Sequence, residues 1–324
     1  MNRRATIVTY HFVRDLAISK YPEIKARTVR EFQGQLDHIE TAYTVITMEE
    51  LVSTIEDPGC ELPENALLLT FDDGYLDHYE SVFPLLSERG MQGSFFPPAL
   101  PVEEHVVLDV NKIHFILAAV KDKTEIVRTL FGMLSDYASS EALNTDQEYY
   151  EQLAVPSRYD TAEVVFIKRM LQKELPELVR QDIVNRLFVE FVTRDEPSFS
   201  RGLYMQTDHM IEMREAGMFF GAHGHSHRWL NTLSPDSQQE EIDRSVKLLE
   251  KIGAETDRWV MCYPHGAYDQ SLLSLLRRAQ CAAGLTIDVG IADLDSNDSL
   301  RLPRIDTNDL PLAAAQHDRA EKRP

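Results

Sequence analysis

The stretch Ala66-Leu67-Leu68-Leu69-Thr70-Phe71-Asp72-Asp73-Gly74 joins a continuous apolar run to two adjacent carboxylates and a glycine. The apolar run is typical of a strand buried on both faces of a parallel sheet. Adjacent carboxylates repel each other and lose hydration at the end of such a strand, so a bound cation would favour the arrangement. The stretch therefore predicts a buried strand with a metal-binding carboxylate at its end. A solvated Asp-Asp-Gly turn is the alternative when the dipeptide is taken alone.

Strand-like and helix-like segments alternate on both sides of this stretch. Strands that alternate with helices imply parallel crossovers, and hence an α/β sheet or barrel. The predicted strands cover about residues 5–12, 66–71, 93–96, 218–221, 258–263 and 283–286. The predicted helices cover about residues 28–43, 48–55, 79–89, 207–215, 235–251 and 270–280.

From Asp109 to about Ser200 almost every segment has helical periodicity, as in the helix predicted to begin at Asp160-Thr161. We interpret this part as a helical insertion in a barrel. The predicted organisation is a first barrel part at 1–108, the insertion at 109–201, a second barrel part at 202–312 and a polar tail at 313–324.

Composition excludes several functions. With 53 acidic and 33 basic residues the formal net charge of the 324-residue chain is −20. Nucleic-acid binding needs a basic face, which this sequence does not offer, and we expect neither nucleic-acid binding nor membrane insertion. The three cysteines are widely spaced, and the N-terminal segment does not have the pattern of a signal peptide. These features predict a cytoplasmic protein; the oligomeric state stays open.

Two further motifs follow predicted strands. In Gly221-Ala222-His223-Gly224-His225-Ser226-His227 the first and last histidines are four positions apart, so that one helical turn would place both rings on one face. An accidental histidine cluster on the surface is the alternative. In Tyr263-Pro264-His265-Gly266, proline and glycine indicate a tight turn that could offer a backbone N–H to an oxyanion, or a turn without such a role.

The three motifs together indicate an active site more strongly than each does alone. The C-terminal ends of parallel barrel strands meet on the face that carries active sites, and all three motifs follow predicted strands. One aspartate and two histidines leave an open position for water and substrate on a catalytic metal. The donors suit zinc, with cobalt and nickel as further options.

With these motifs the chain resembles the polysaccharide deacetylase family, also called the NodB-homology group or carbohydrate esterase family 4. Residues 70–74 match its first motif, 223–227 its second, with Gly224 where Ser or Thr is usual, and 263–266 look like a variant of its third. The resemblance covers about residues 5–108 and 202–310. It implies a distorted parallel (β/α) barrel of seven strands.

The resemblance also implies residue roles. Asp72 would be the general base, and Asp73, His223 and His227 would bind the divalent metal. The expected substrate-binding residues are Tyr263, Pro264, His265 and Arg304.

The sequence departs from the family pattern at two positions, namely the arginine that pairs with the general base and the histidine that serves as general acid. Cys262 stands where the family usually carries an arginine that pairs with the base, and we hypothesise that Arg304 replaces it. The usual Leu-His motif of the general acid is missing, and His317-Asp318 is a poor substitute. His11, which ends the first predicted strand, is the candidate for an acid or a substrate contact; a purely structural histidine fits equally well.

The resulting hypothesis is a metal-dependent hydrolase that removes an N-acyl group, in particular acetyl, from an amino sugar in surface-polysaccharide or glycoconjugate biosynthesis. Two alternatives remain at this point. One is a metal-dependent amidase or imidase with a non-sugar substrate, and the other is a non-catalytic carbohydrate-binding relative.

Overall fold

The computed structural model describes residues 2–137, 143–157 and 160–312. The predicted tail at 313–324, with His317 and Asp318, lies outside the described residues. The chain forms two compact units. Within the described ranges, the first comprises the residues up to Asp15, Ala26–His105 and the residues from Ser200 onward. The second comprises Leu16–Lys25 and Val106–Phe199.

The strands all belong to the first unit. They are β1 (Arg4–Tyr10), β2 (Thr44–Val45), β3 (Ala66–Asp72), β4 (Gly93–Phe96), β5 (Phe219–Phe220), β6 (Val260–Cys262), β7 (Ala283–Val289), β8 (Ala292–Asp293) and β9 (Leu302–Asp306).

Seven parallel strands of the described part form a sheet in the order β5-β4-β3-β1-β9-β7-β6. The short β2 pairs with β3, and β8 pairs antiparallel with β1. A parallel bridge from Ala222 to Met261 joins the two outer strands, and the Cys262 N–H donates to the Ala222 carbonyl at 2.8 Å. The sheet therefore curls into the distorted β/α barrel that the sequence predicted.

The helices of the described residues follow in chain order. They are α1 (Val29–Ala42), α2 (Met48–Glu56), α3 (Phe83–Glu88), α4 (Ala99–Glu104), α5 (Asp109–Ala119), α6 (Lys123–Leu134), α7 (Asp146–Leu153), α8 (Ala162–Arg169), α9 (Glu177–Phe191), α10 (Glu196–Arg201), α11 (Thr207–Glu215), α12 (Pro235–Ile252) and α13 (Gln270–Arg278). A π-helical turn at His78–Val82 precedes α3.

Strand β3 lies in the centre of this fold, and all seven of its residues are buried. It pairs with β1 on one side and β4 on the other, and its apolar side chains are buried on both faces of the sheet. The aromatic ring of Phe71 stacks on Tyr10 and on Phe95, from the two adjacent strands. This packing carries Asp72 and Asp73 to the C-terminal edge of the sheet.

The sequence analysis did not predict β9, whose Pro303 lacks the N–H that a central strand normally donates. The pairing of β9 with β7 is irregular between Leu285 and Val289, where the register shifts. A bulge of this kind accommodates the proline and still leaves Arg304 in the sheet.

Over its described residues, the second unit consists of helices and their connections, together with the non-helical segment Leu16–Lys25. Its buried side chains include Ile113, Ile116 and Ile183, at positions that the helical periodicity predicted. Leu16–Lys25 was not predicted to belong here. The segment contributes Tyr21, whose ring packs edge-on against Phe115 with centroids 5.0 Å apart. None of the helices described is both long and apolar enough to cross a bilayer.

Candidate metal centre

Five side chains from separate parts of the barrel meet at the C-terminal edge of the sheet. Asp72 ends β3, Asp73 follows it, His223 and His227 follow β5, and Cys262 ends β6. Since these strands are parallel, their ends open on the same face of the barrel.

Three ligand atoms converge there. The Oδ1 atom of Asp73 lies 3.3 Å from Nε2 of His223 and 3.2 Å from Nε2 of His227. The Asp73 and His223 side chains are almost fully buried, and that of His227 is only 7 % exposed. The three residues form a donor set whose ligand atoms all lie within 4.8 Å of one another.

The histidine motif reaches this geometry through a loop. The sequence analysis assumed a helical turn between His223 and His227, and that assumption is wrong. The segment has no helical structure, and both Gly224 and His227 adopt left-handed backbone conformations, with φ of 68° and 57°. The loop reverses the chain so that both rings face Asp73.

The second nitrogen of His223 is also oriented. Its Nδ1–H donates to the carbonyl of Cys262 at 2.8 Å, which leaves Nε2 directed at Asp73. A main-chain acceptor on the far nitrogen is a common partner of metal-binding histidines, because it sets the tautomer and the ring orientation.

Asp73 is shaped by its own backbone and by Tyr75. The residue has a φ of 71°, and the Tyr75 hydroxyl donates to its Oδ2 atom at 2.5 Å. Its other oxygen, Oδ1, is buried and makes no hydrogen bond within the described residues. Burial alone would raise the pKa of Asp73, but His227 and His223 lower it well below its usual range.

These observations test whether the site suits a metal. A buried carboxylate oxygen without a hydrogen bond is costly unless a cation or donor satisfies it. Asp73 Oδ1 is such an atom, and the Nε2 atoms of His223 and His227 point at it. The residues therefore fit a divalent metal held by one carboxylate and two imidazoles.

Asp72 lies beside this donor set, with its carboxylate bound by Arg304. The guanidinium donates to both carboxylate oxygens, from Nη1 to Oδ1 at 2.9 Å and from Nη2 to Oδ2 at 2.8 Å. The Thr9 hydroxyl adds a hydrogen bond at 3.2 Å, and the Cys262 thiol lies 3.3 Å from Oδ1. Burial raises the pKa of Asp72, but Arg304 and His223 outweigh it, so that the pKa lies far below the usual range.

Arg304 is itself anchored in the sheet. Its Nε atom donates to the Thr286 carbonyl at 2.8 Å, and its Nη1 atom also donates to the Thr70 hydroxyl at 3.2 Å. The side chain is 2 % exposed. The structure thus brings Arg304 to Asp72, as hypothesised from the sequence, while Cys262 occupies the position of the usual family arginine. A contact of Arg304 with substrate stays a prediction.

The other predicted residues surround this core. His11 is exposed after β1, and its carbonyl accepts a hydrogen bond from His78 Nε2 at 2.9 Å. Pro264 and Tyr263 are buried, and the Tyr263 hydroxyl donates to the Leu300 carbonyl at 2.9 Å. The Tyr263 side chain is therefore engaged in packing.

His265 lies closer to the metal-binding residues. Its ring meets His227 edge-on, with centroids 4.5 Å apart, and stacks on Trp229 at 4.5 Å with 10° between the planes. Burial and the neighbouring His227 lower the pKa of His265 to about 3. Both His265 and Trp229 are half-buried, at the edge of the cluster.

Sequence reasoning missed several residues of the site. Tyr75 directly follows the first motif and could have been found by this proximity. Trp229 stands two positions beyond His227, and Glu241 lies on α12. The carboxylate of Glu241 accepts hydrogen bonds from the main chain of His225 at 2.7 Å and of Ser226 at 2.9 Å. Nothing local in the sequence marks Glu241 as a partner of the histidine motif.

Fold and site together define a class of protein, namely an α/β barrel with a buried donor set of one carboxylate and two histidines of the kind that catalytic metal sites use. The family model described as polysaccharide deacetylase matches residues 60–131 and 175–284, which is more than half of the chain. The chain belongs to the polysaccharide deacetylase family.

A curated relative agrees over a short stretch. The chain is 28 % identical over 92 residues to "Putative polysaccharide deacetylase YxkH" of Bacillus subtilis (strain 168). The match covers 28 % of this chain and 33 % of that protein, so the chain aligns with about a third of the length of the relative.

Solved structures resemble the whole chain. The Streptococcus pyogenes deacetylase PplD, in complex with acetate, matches with a TM-score of 0.59 and 18 % identity over 97 % of each chain. IcaB from Ammonifex degensii matches with a TM-score of 0.55 and 18 % identity over 96 % of each chain. At these identities the similarity establishes the fold.

Proposed function

We propose that this protein is a metal-dependent hydrolase that removes an N-acyl group, in particular acetyl, from an amino sugar. The observation that carries the proposal is the carboxylate of Asp72, which Arg304 holds beside the convergent donors Asp73, His223 and His227. Hydrolysis of an amide requires both an activated water and stabilisation of the oxyanion, and this arrangement serves both.

The residues divide these tasks. A divalent metal bound by Asp73, His223 and His227, for which we propose zinc, with cobalt or nickel as options, would act as the Lewis acid for the acyl carbonyl. Asp72 takes the proton from the attacking water. Arg304 keeps Asp72 ionised and in place, because its two hydrogen bonds favour the charged form.

The later steps involve residues at the edge of the site. We assign to the main-chain N–H of His265 a hydrogen bond to the developing oxyanion, and to His11 the donation of a proton to the departing amine. A left-handed backbone at His265, with a φ of 56°, and the exposure of His11 after β1 support these assignments.

The half-buried pair of Trp229 and His265 supports a sugar as the substrate. The His265 ring lies next to His227, and Trp229, which stacks on His265, is a half-buried amphipathic ring of the kind that binding sites use to position ligands. The amino sugar we propose is part of a surface polysaccharide or a glycoconjugate precursor. Membership in the family and the acetate complex of the Streptococcus pyogenes neighbour favour acetyl as the acyl group.

The location that we propose is the cytoplasm. The three cysteines, Cys60, Cys262 and Cys281, are all free thiols, as is usual for a protein in a reducing compartment.

Release of acetate is the direct test. Protein stripped with a chelator and reloaded with zinc or cobalt is incubated with N-acetylglucosamine oligomers, a nucleotide-linked N-acetylamino sugar, and small linear and cyclic amides. We expect acetate only from the sugars, and a loss of about 100-fold or more in kcat for Asp72→Asn. Turnover of the small amides alone would indicate an amidase, and metal binding without hydrolysis of any substrate would indicate a binding protein.

A further inference from the structure

The loop between the two histidine ligands is held in an unfavourable shape. Gly224 and His227 have positive φ angles of 68° and 57°, and a left-handed conformation is unfavourable for a histidine. Such backbone persists only where surrounding contacts enforce it. The direction of both Nε2 atoms toward Asp73 therefore depends on whatever holds this loop.

Glu241 supplies these contacts. Its Oε2 atom accepts hydrogen bonds from the main-chain N–H of His225 at 2.7 Å and of Ser226 at 2.9 Å, and its Oε1 atom accepts one from the Ser226 hydroxyl. All three donors lie between His223 and His227. Glu241 is 6 % exposed and belongs to α12, one of the longest helices of the barrel unit.

Gly224 shows how closely the helix approaches the loop. A Cβ atom at this position would lie 3.3 Å from Glu241 Oε2 and 3.2 Å from Pro264 Cγ, and the positive φ would strain any residue but glycine. Glycine at position 224, where Ser or Thr is usual in the family, thus fits a loop enclosed between the Glu241 carboxylate and the Pro264 turn.

We infer that Glu241 is a positioning residue of the metal centre, which fixes the 225–226 main chain so that His223 and His227 present their Nε2 atoms to one metal ion. The inference rests on the metal-binding part of the proposed function. Two consecutive N–H groups bound to one carboxylate oxygen set the direction of the peptide planes, and charge-assisted hydrogen bonds are the stronger ones. Glu241 acts only through the histidines and does not touch the metal or the substrate.

The affinity of the stripped protein for Zn²⁺ tests this role. It is measured by competition with a chromophoric chelator, with folding checked by circular dichroism and thermal unfolding. We expect Glu241→Ala to bind Zn²⁺ about 10- to 100-fold more weakly than the native protein, the range typical of lost partners behind metal ligands. Glu240→Gln, an exposed change at the preceding position of the same helix, is the matched control and should leave the affinity unchanged.

Two conservative variants separate positioning from a general effect on stability. Glu241→Gln keeps an acceptor for the two N–H groups and can donate to the Ser226 hydroxyl, so it should stay within about threefold of native affinity. Glu241→Asp keeps the charge but withdraws the carboxylate by one methylene, and it should weaken binding about tenfold. Glu241→Asp decides the question if Glu241→Ala does not fold. Native Zn²⁺ affinity in folded Glu241→Ala or in folded Glu241→Asp would overturn the inference.

The outcome is distinct from that of the proposed function. Weaker Zn²⁺ binding by Glu241→Ala and Glu241→Asp supports the inference even if the native protein releases no acetate from any sugar. A native protein that hydrolyses N-acetylated sugars, together with native Zn²⁺ affinity in Glu241→Asp, overturns the inference and leaves the proposed function intact.

Discussion

The guanidinium of Arg304 binds both carboxylate oxygens of Asp72, at 2.9 and 2.8 Å, across 232 positions of sequence. Both side chains are nearly inaccessible, with 2 and 3 % exposed. Water does not reach this buried, bidentate pair, so each charge is compensated by the other. Removal of either side chain leaves an unpaired buried charge.

We therefore predict that Arg304→Met is strongly destabilising. It leaves Asp72 as an uncompensated buried charge, and we expect the free energy of unfolding to fall by about 3 to 5 kcal/mol. Arg304→Lys keeps the charge but not the planar fork, and it should cost less. Urea denaturation at pH 7 measures both variants, and a loss in Arg304→Met no larger than in Arg304→Lys would contradict the prediction.

Substitution of Asp73 should weaken metal binding, whereas substitution of the adjacent Asp72 should not. Asp73→Asn and His227→Ala remove ligands, so their Zn²⁺ affinity should fall by more than the roughly 100-fold that loss of an outer partner can cause. Asp72→Asn is the matched control, because Asp72 pairs with Arg304 and lies outside the proposed ligand set. Competition with a chromophoric chelator measures the affinity, and native Zn²⁺ affinity in Asp73→Asn would contradict the assigned ligands.

Trp229 should affect binding of the sugar more than the chemical step. We expect Trp229→Ala to raise KM for an N-acetylated sugar about fivefold, with little change in kcat. A fivefold change corresponds to about 1 kcal/mol, which is typical for the loss of an aromatic contact. Trp229→Phe keeps an aromatic ring and is the control. Steady-state kinetics with N-acetylglucosamine oligomers measure the effect, and an unchanged KM, or a loss confined to kcat, would contradict a sugar-stacking role.

His78 should make the stability of the protein sensitive to acid. Burial lowers its pKa from 6.5 to about 4, and its Nε2–H donates to the His11 carbonyl. Because the folded pKa is depressed, the unfolded chain binds the proton more readily. The stability that neutral His78 contributes is present above pH 6.5 and is lost as pH falls toward the folded pKa.

Between pH 7 and pH 5 this loss amounts to about 2 kcal/mol. His78→Gln keeps a donor for the His11 carbonyl but does not titrate. Between pH 7 and pH 5 its free energy of unfolding should therefore fall by about 2 kcal/mol less than that of the native protein. Urea unfolding of both proteins at the two pH values provides the comparison. Equal losses in the native protein and in His78→Gln would show that His78 does not titrate as the structure indicates.

Much of the barrel was predictable because its signals are local. The apolar run at Ala66–Phe71 indicated a strand buried on both faces, and the structure shows all of β3 buried. Thr28 and Ser234 mark the starts of α1 and α12, where their side chains cap the first turn. Such patterns depend only on neighbouring residues and on the period of the element.

The candidate site was predictable only in its composition. The motifs singled out Asp72, Asp73, His223 and His227, because carboxylates and histidines at strand ends are unusual without a ligand. The loop geometry of the histidine motif was not predictable from their spacing. It depends on two left-handed residues and on the hydrogen bonds that the main chain of the loop donates to Glu241 on another element.

By itself, the sequence determined the alternation of strands and helices, the burial of β3 and the residue types gathered at the strand ends. The tertiary structure alone decided that Glu241 holds the histidine loop and that Trp229 stacks on His265. It also showed that Arg304, which the sequence offered only as a hypothesis, meets Asp72. Hydrophobic periodicity and secondary-structure propensity depend only on residues that are close together in the chain. Contacts between elements arise from strand order, from register and from the register shift in β7 between Leu285 and Val289, which no single segment encodes.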